Sequence, residues 1–189
     1  MEKNLMIIIT GAPSTGKTTL SKKLSYKFNI SVLNKDEIKE LLFDNVGIKD
    51  KDWAMKLGST SFELTFFFME KLLQTGKPFI VEGNFDDRYS KESFLDLRRR
   101  YHCRILQLYC YAKDEILYKR YINRDNSGSR HPGHIKLKLG FEEYKTAINS
   151  KKFKLNIDSS TNIDIDTTDF KNISFHKIYD EVKRNINLT

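Results

Sequence analysis

Cysteine is nearly absent. Cys103 and Cys110 are the only two in 189 residues, too few and too poorly placed for a disulfide framework. Neither they nor His102 and His176 stand at metal-ligand spacing. No apolar run approaches the roughly 18–20 residues of a membrane span, since Glu63 and Glu70 interrupt even the Phe-rich stretch at 62–73. The N-terminus passes from Met1-Glu2-Lys3-Asn4 straight into an apolar segment, which leaves no room for a signal peptide. A soluble cytoplasmic protein with no membrane contact is expected. Low complexity, internal repeats and a second domain are also missing, so residues 1–189 read as one domain. A hydrophobic content of 39% with 12% aromatics excludes wholesale disorder.

What is plentiful is positive charge. Lys and Arg exceed Asp and Glu by 8, a balance suited to nucleic acid or another anionic substrate. Many lysines stand singly in helical segments, as at Lys22, Lys23, Lys39 and Lys56, and such charges also serve as a plain solvated surface.

Residues 11–18 read Gly-Ala-Pro-Ser-Thr-Gly-Lys-Thr, a complete G-x-x-x-x-G-K-[ST] phosphate-binding loop. Leu5 to Ile9 precede it as a buried strand, and Leu20 and Leu24 begin a helical stripe behind it. Strand, glycine loop and helix are the context the motif needs. Backbone N–H groups of the loop can wrap a phosphate at the positive helix end. Gly11, Ala12, Pro13, Ser14, Thr15, Gly16, Lys17, Thr18 and Thr19 are therefore assigned to ATP. Lys17 reaches the β- and γ-phosphates, and the Thr18 hydroxyl ligates Mg²⁺.

Strand-like and helix-like segments alternate from end to end, which predicts an α/β fold with a parallel sheet. Strands are expected at 5–9, 30–33, 79–81, 104–111 and 162–166. Helices are expected behind the loop and at 35–43, 59–75, 90–101, from Asp114 (as its cap), about 136–149 and 174–187. Residues 44–59 are mixed. Residues 125–134 break all periodicity and read as a loop.

In such sheets the site lies beyond the carboxyl ends of the strands. Asp36 follows the second strand, where a carboxylate can orient and deprotonate a substrate hydroxyl; Glu37 is the fallback, and Asp36 as a mere helix cap is the plainer alternative. Glu82 follows the third strand and can help hold the Mg²⁺ hydration shell, while Asn84 can hydrogen-bond substrate. Arg120 and Arg124 share a helix face, and Arg130 follows in the loop. Together they suit a lid, about residues 120–134, that neutralises phosphoryl charge and excludes water, with Gly128 and Gly133 for flexibility. Thr167 and Thr168, after the last strand, are placed to meet the adenine ring.

With these pieces in order, the chain resembles the small P-loop kinases grouped with polynucleotide 5′-hydroxyl kinase, zeta toxin and chloramphenicol phosphotransferase. The resemblance covers nearly the whole chain and implies a P-loop fold of nucleoside-monophosphate-kinase type, a five-stranded parallel sheet flanked by helices with an arginine-bearing lid. Asn34 to Lys39 looks like the polynucleotide kinase segment, which implies a catalytic Asp36 and a substrate-contacting Lys39; lysine stands where the family favours arginine. Ile80 to Asn84 resembles the strand that usually ends in Asp-x-x-Asn, with Glu82 replacing aspartate. Arg-His-Pro-Gly-His at 130–134 is similar to a run seen in uncharacterised members. The expected activity is transfer of the ATP γ-phosphoryl, with Mg²⁺, to a hydroxyl. A polynucleotide 5′-hydroxyl is the first acceptor to test. A small metabolite, nucleotide sugar or antibiotic hydroxyl follows, and a non-catalytic ATP-binding regulator is the alternative from another class.

Overall fold

The computed structural model describes residues 4–128, 130–134, 138–158 and 160–187. The Met1–Lys3 segment, Ser129 of the expected lid and the expected helix start at 136–137 lie outside the described residues.

In chain order the elements are β1 (Asn4–Gly11), α1 (Lys17–Phe28), β2 (Ser31–Asn34), α2 (Lys35–Val46), α3 (Lys51–Gln74), β3 (Phe79–Glu82), α4 (Asp87–Tyr101), β4 (Cys103–Tyr111), α5 (Asp114–Asn126), α6 (Phe141–Asn149), β5 (Thr161–Asp166), a 3-10 turn (Phe170–Asn172) and α7 (Phe175–Asn187). The five strands form one sheet in the order β2-β3-β1-β4-β5, and every neighbouring pair is parallel. This is the α/β fold with a helix-flanked, five-stranded parallel sheet that the alternation of segments predicts.

Leu5 to Ile9 of β1 are wholly buried because both faces of the central strand are covered, which is why the run is continuously apolar rather than alternating. Leu5, Ile7 and Ile9 pack with Leu20 and Leu24 of α1 and Ile178 and Val182 of α7. Met6 and Ile8 point the other way, into Met69, Leu73, Phe85 and Phe94 under α3 and α4.

Helix α2 runs on to Val46 and α4 begins at Asp87, beyond the expected 43 and 90, and three further boundaries differ. The unassigned stretch before residue 59 is helical from Lys51, so α3 runs 24 residues. Asp50 caps it by accepting Trp53 N–H at 2.8 Å. Its buried stripe contains Ser61 and Thr65, whose hydroxyls bond back to the Gly58 and Ser61 carbonyls, each at 2.6 Å. The missed turns, Lys51 to Gly58, bury only Ala54 and Leu57, too few apolar positions to show a helical period. Asp114 is not a cap: Lys113 holds the N-cap position without a side-chain bond, and Asp114 lies in the first turn. Helix α6 begins only at Phe141, where the Gly140 N–H meets Glu143 Oε2 at 2.9 Å.

The register brings the carboxyl ends of the strands to one edge. Ile9 and Asn34 both stand opposite Glu82, and Gly11 stands opposite Cys110. The functional side chains gather there. Among the described residues, no helix is long and apolar enough to cross a membrane.

Candidate active site

The glycine loop turns from β1 into α1 through backbone that side chains rarely adopt. Gly11 has φ 143°, Ser14 67° and Gly16 83°. A Cβ on Gly11 would lie 2.1 Å from the Cys110 carbonyl oxygen, and one on Gly16 would lie 2.5 Å from the Phe170 ring. Both glycines are thus fixed by space as well as by φ. Lys17 is 8% exposed and donates to the Ala12 carbonyl at 2.8 Å. Burial lowers its pKa, against the opposing pull of the Glu82 carboxylate. The Ser14 hydroxyl is buried with no hydrogen-bond partner among the described residues.

The loop forms the floor of a cleft of about 600 Å³. Pro13, Ser14, Gly16, Lys17, Thr18 and Thr19 line it, together with the expected Asp36, Glu37, Lys39, Glu82, Asn84, Arg120, Arg124 and Arg130. Gly11, Ala12 and Thr15 stand behind it as support. Thr15 Oγ1, like Lys17, bonds to the Ala12 carbonyl, at 2.8 Å.

Glu82 meets the loop directly: its Oε2 accepts from Thr18 Oγ1 at 3.1 Å and from Asn34 Nδ2 at 2.6 Å. Burial raises the Glu82 pKa, while Lys17 and the Thr18 hydrogen bond oppose that rise. A hydroxyl and a carboxylate oxygen side by side beneath the phosphate loop form a hard-donor pair. Such a pair suits Mg²⁺, which binds through few protein ligands and completes its shell with phosphates and water.

Asn34 carries a role the sequence reading missed. Its Oδ1 accepts from Asp36 N–H at 2.8 Å and Glu37 N–H at 3.3 Å, which makes it the N-cap of α2. An Asn directly before a helix is a common cap, so the signal was available. Asp36 is therefore not the cap. Asn34→Ala should destabilise the fold by about 1–2 kcal/mol, checked by thermal or denaturant unfolding.

Asp36 extends into the cleft with its side chain 52% exposed. Lys35 Nζ lies 2.8 Å from Asp36 Oδ1 and 4.7 Å from the centre of the Phe62 ring. Partial burial would push the Asp36 pKa up. The Lys35 charge and hydrogen bond, with His134 and Lys17, outweigh that and hold it at about 2. Lys39 lies over the Phe43 ring at 5.5 Å, and burial lowers its pKa. Asn84 Oδ1 is buried without a partner among the described residues.

The three arginines divide by role. Arg120 donates to the Thr167 carbonyl at 2.6 Å, the Thr168 carbonyl at 3.3 Å and Thr167 Oγ1 at 3.4 Å, tying α5 to the loop after β5. The threonine hydroxyls expected to meet adenine bond to the segment that joins β4 to α5. Thr167 Oγ1 donates to the Tyr111 carbonyl at 2.9 Å, and Thr168 Oγ1 accepts from Lys113 N–H at 3.1 Å. Arg130 pairs with Asp125 at 2.5 Å. Arg124 has a buried Nε without a partner among the described residues. Burial and the neighbouring Arg130 lower its pKa, while the Asp125 and Asp36 carboxylates oppose that shift.

Residues 130–134 dock on α2 through two histidines absent from the expected site. His131 Nε2 lies 3.0 Å from Asp44 Oδ1, and His134 Nε2 lies 2.8 Å from Glu40 Oε1. His131 stacks on Phe43 at 5.9 Å, and a Cβ on Gly133 would fall 2.3 Å from that ring. Glu40 and Asp44 are one helical turn apart, which matches the three-residue spacing of the histidines. That match was legible in principle, but only once the loop is known to face α2. The expected lid is also part helix, since α5 extends through Asn126.

A family profile described as an AAA domain, AAA_33, matches residues 6–137. The chain belongs to this family. No curated protein sequence matches it significantly. Among solved structures, the AAA_33 chain is similar to a candidate kinase from Chloroflexus aurantiacus J-10-fl, with 29% identity and a TM-score of 0.89 over 97% of this chain and 99% of the other. It shares its fold with a gluconokinase from Sinorhizobium meliloti 1021 at 10% identity and TM-score 0.57, over 99% of this chain and 94% of that one. A Pnkp1/Rnl/Hen1 RNA repair complex is similar at 16% identity and TM-score 0.56, over 79% of this chain and 44% of the other. The fold of this AAA_33 protein is P-loop kinase-like.

Proposed function

We propose that this protein is an ATP-dependent kinase that moves the γ-phosphoryl group to a hydroxyl acceptor. The observation that carries the reading is Asp36: an ionised carboxylate, freed of capping duty by Asn34, in one cleft with Lys17, Thr18 and Arg124. A protein that only bound ATP would need no such group.

Each residue then has a distinct task. Lys17 leaves the Ala12 carbonyl to lie between the β- and γ-phosphates. Thr18 and Glu82 would hold Mg²⁺, which would neutralise phosphate charge when bound. Asp36 accepts a hydrogen bond from the attacking hydroxyl and aligns it. With a pKa of about 2 it is a weak base, so it takes the proton late, as the bond to phosphorus forms; a loose transition state asks little more. Arg124 meets the charge that develops on the transferred group, and the 130–134 loop against α2 keeps water out.

The positive net charge and the likeness of the Asn34–Lys39 segment favour a polynucleotide 5′-hydroxyl as acceptor. The docking of His131 and His134 on α2 favours a compact alcohol instead, because it walls the cleft on that side. ATP consumption screened against 5′-hydroxyl oligonucleotides, nucleosides, sugars and aminoglycoside-like alcohols decides between them. No stimulation by any hydroxyl, with ATP bound, would leave an ATP-binding regulator.

Arg124→Ala should lower kcat by up to about 10³-fold if Arg124 acts as an arginine finger, with little change in the ATP KM. Arg120→Ala should instead raise the ATP KM by loosening the loop at 167–168. Equal effects of the two on kcat would contradict this division.

A further inference from the structure

Helix α1 carries Lys17, Lys22, Lys23 and Lys27 and no acidic residue. Lys17 belongs to the phosphate loop. The other three are exposed, and none has a carboxylate partner among the described residues. As a sequence, Lys22 and Lys23 read as single scattered charges; the fold gathers them with Lys27 on one side of α1 and α7. There Lys23 Nζ lies 4.8 Å over the Phe175 ring and Lys27 Nζ 5.9 Å over Tyr179. Between them stands Tyr26, 94% exposed.

These residues line an open groove of about 610 Å³ that holds no carboxylate among the described residues. Asp180, the nearest acid along α7 from Tyr179, is paired with His176 at 2.9 Å. Thr18, Thr19 and Lys22 line both this groove and the phosphoryl-transfer cleft. The two therefore form one continuous surface that leads away from the end of the phosphate loop.

We propose that the groove is a docking track for a single-stranded nucleic acid whose 5′ end occupies the cleft. This rests on the polynucleotide reading of the acceptor. Unpaired lysines at the groove walls meet successive phosphates, and the exposed Tyr26 ring offers a stacking platform for an unpaired base. A lipid surface fits less well. It requires exposed aliphatic or phenyl side chains, and the groove offers only two tyrosines among lysines and threonines.

The test is fluorescence anisotropy with a 3′-labelled, 5′-hydroxyl oligothymidylate of roughly 12 nucleotides. Three phosphate contacts predict a slope of log affinity against log salt of about −2. In Lys23→Glu/Lys27→Glu the slope should fall in magnitude by about 1.4. Tyr26→Ala should weaken binding about tenfold, at unchanged salt slope. Lys23, Tyr26 and Lys27 do not line the cleft, so ATP affinity should match the wild type in both variants.

Wild-type affinity in both variants, or no binding of the wild-type chain at low salt, overturns the track. So does binding to anionic phospholipid vesicles, but not to the oligonucleotide, through the same residues. Binding through the groove without labelling of the 5′-hydroxyl removes the polynucleotide as acceptor and overturns the seating of the 5′ end in the cleft. Labelling that is indifferent to all three substitutions keeps the kinase reading and overturns the track.

Discussion

Asp36→Asn is expected to lower phosphoryl transfer by roughly 10²–10⁴-fold while ATP binding stays near wild type. The substitution keeps size and removes the acceptor of the hydroxyl proton. The α2 cap is Asn34, so helix stability does not depend on the lost carboxylate. The Lys35 ammonium, on a buried side chain, keeps an amide oxygen where it had the carboxylate at 2.8 Å, so some melting temperature is lost while the fold holds. Transfer to the best acceptor from the screen, ATP affinity by titration and melting temperature are the three measurements. Normal transfer with reduced stability would return Asp36 to a structural role and move the base to Glu37 or Glu82. Lys35→Met provides a companion check. Without the Lys35 charge, burial dominates and the Asp36 pKa rises, so the acid limb of kcat/KM should move to higher pH.

Lys17→Ala is expected to abolish turnover. In the P-loop only Lys17 can place a cation between the β- and γ-phosphates. Arg120 is bound to the loop at 167–168 and Arg130 to Asp125. The side chain is buried, yet its Nζ bonds only a carbonyl, so its loss removes a desolvated charge and the fold should hold. Glu82 loses the cation that opposes its raised pKa, and metal binding at Thr18 and Glu82 should shift to higher pH as a result. ATP titration with and without Mg²⁺, together with the steady-state rate, measures both effects. An unchanged rate and affinity would remove the loop from the chemistry.

The elements legible in the sequence are those whose signal is local. Leu5 to Ile9 announce a central buried strand because both sheet faces are covered there. The first two turns of α3 were hidden because Lys51 to Gly58 bury only Ala54 and Leu57, too few apolar positions to show a helical period. Asp36 was read correctly as a cleft carboxylate, but its independence from the cap needed the Asn34 geometry. Thr167 and Thr168 looked free for a ligand, but the fold brings the Tyr111 carbonyl and the Lys113 N–H to their hydroxyls. His131 and His134 passed unnoticed because their partners Glu40 and Asp44 lie some ninety residues upstream.

The sequence alone determined the phosphate loop. Gly11, Gly16, Lys17 and Thr18 act within one turn between a strand and a helix, so their spacing along the chain already specifies their arrangement. Only the tertiary structure decided how the remaining charges divide. Arg120 secures a loop, Arg130 is paired, Arg124 keeps a buried Nε without a partner among the described residues, and three lysines of α1 share one groove. Whether a charge is spent or free depends on burial and on partners from distant segments, and distance along the chain carries neither.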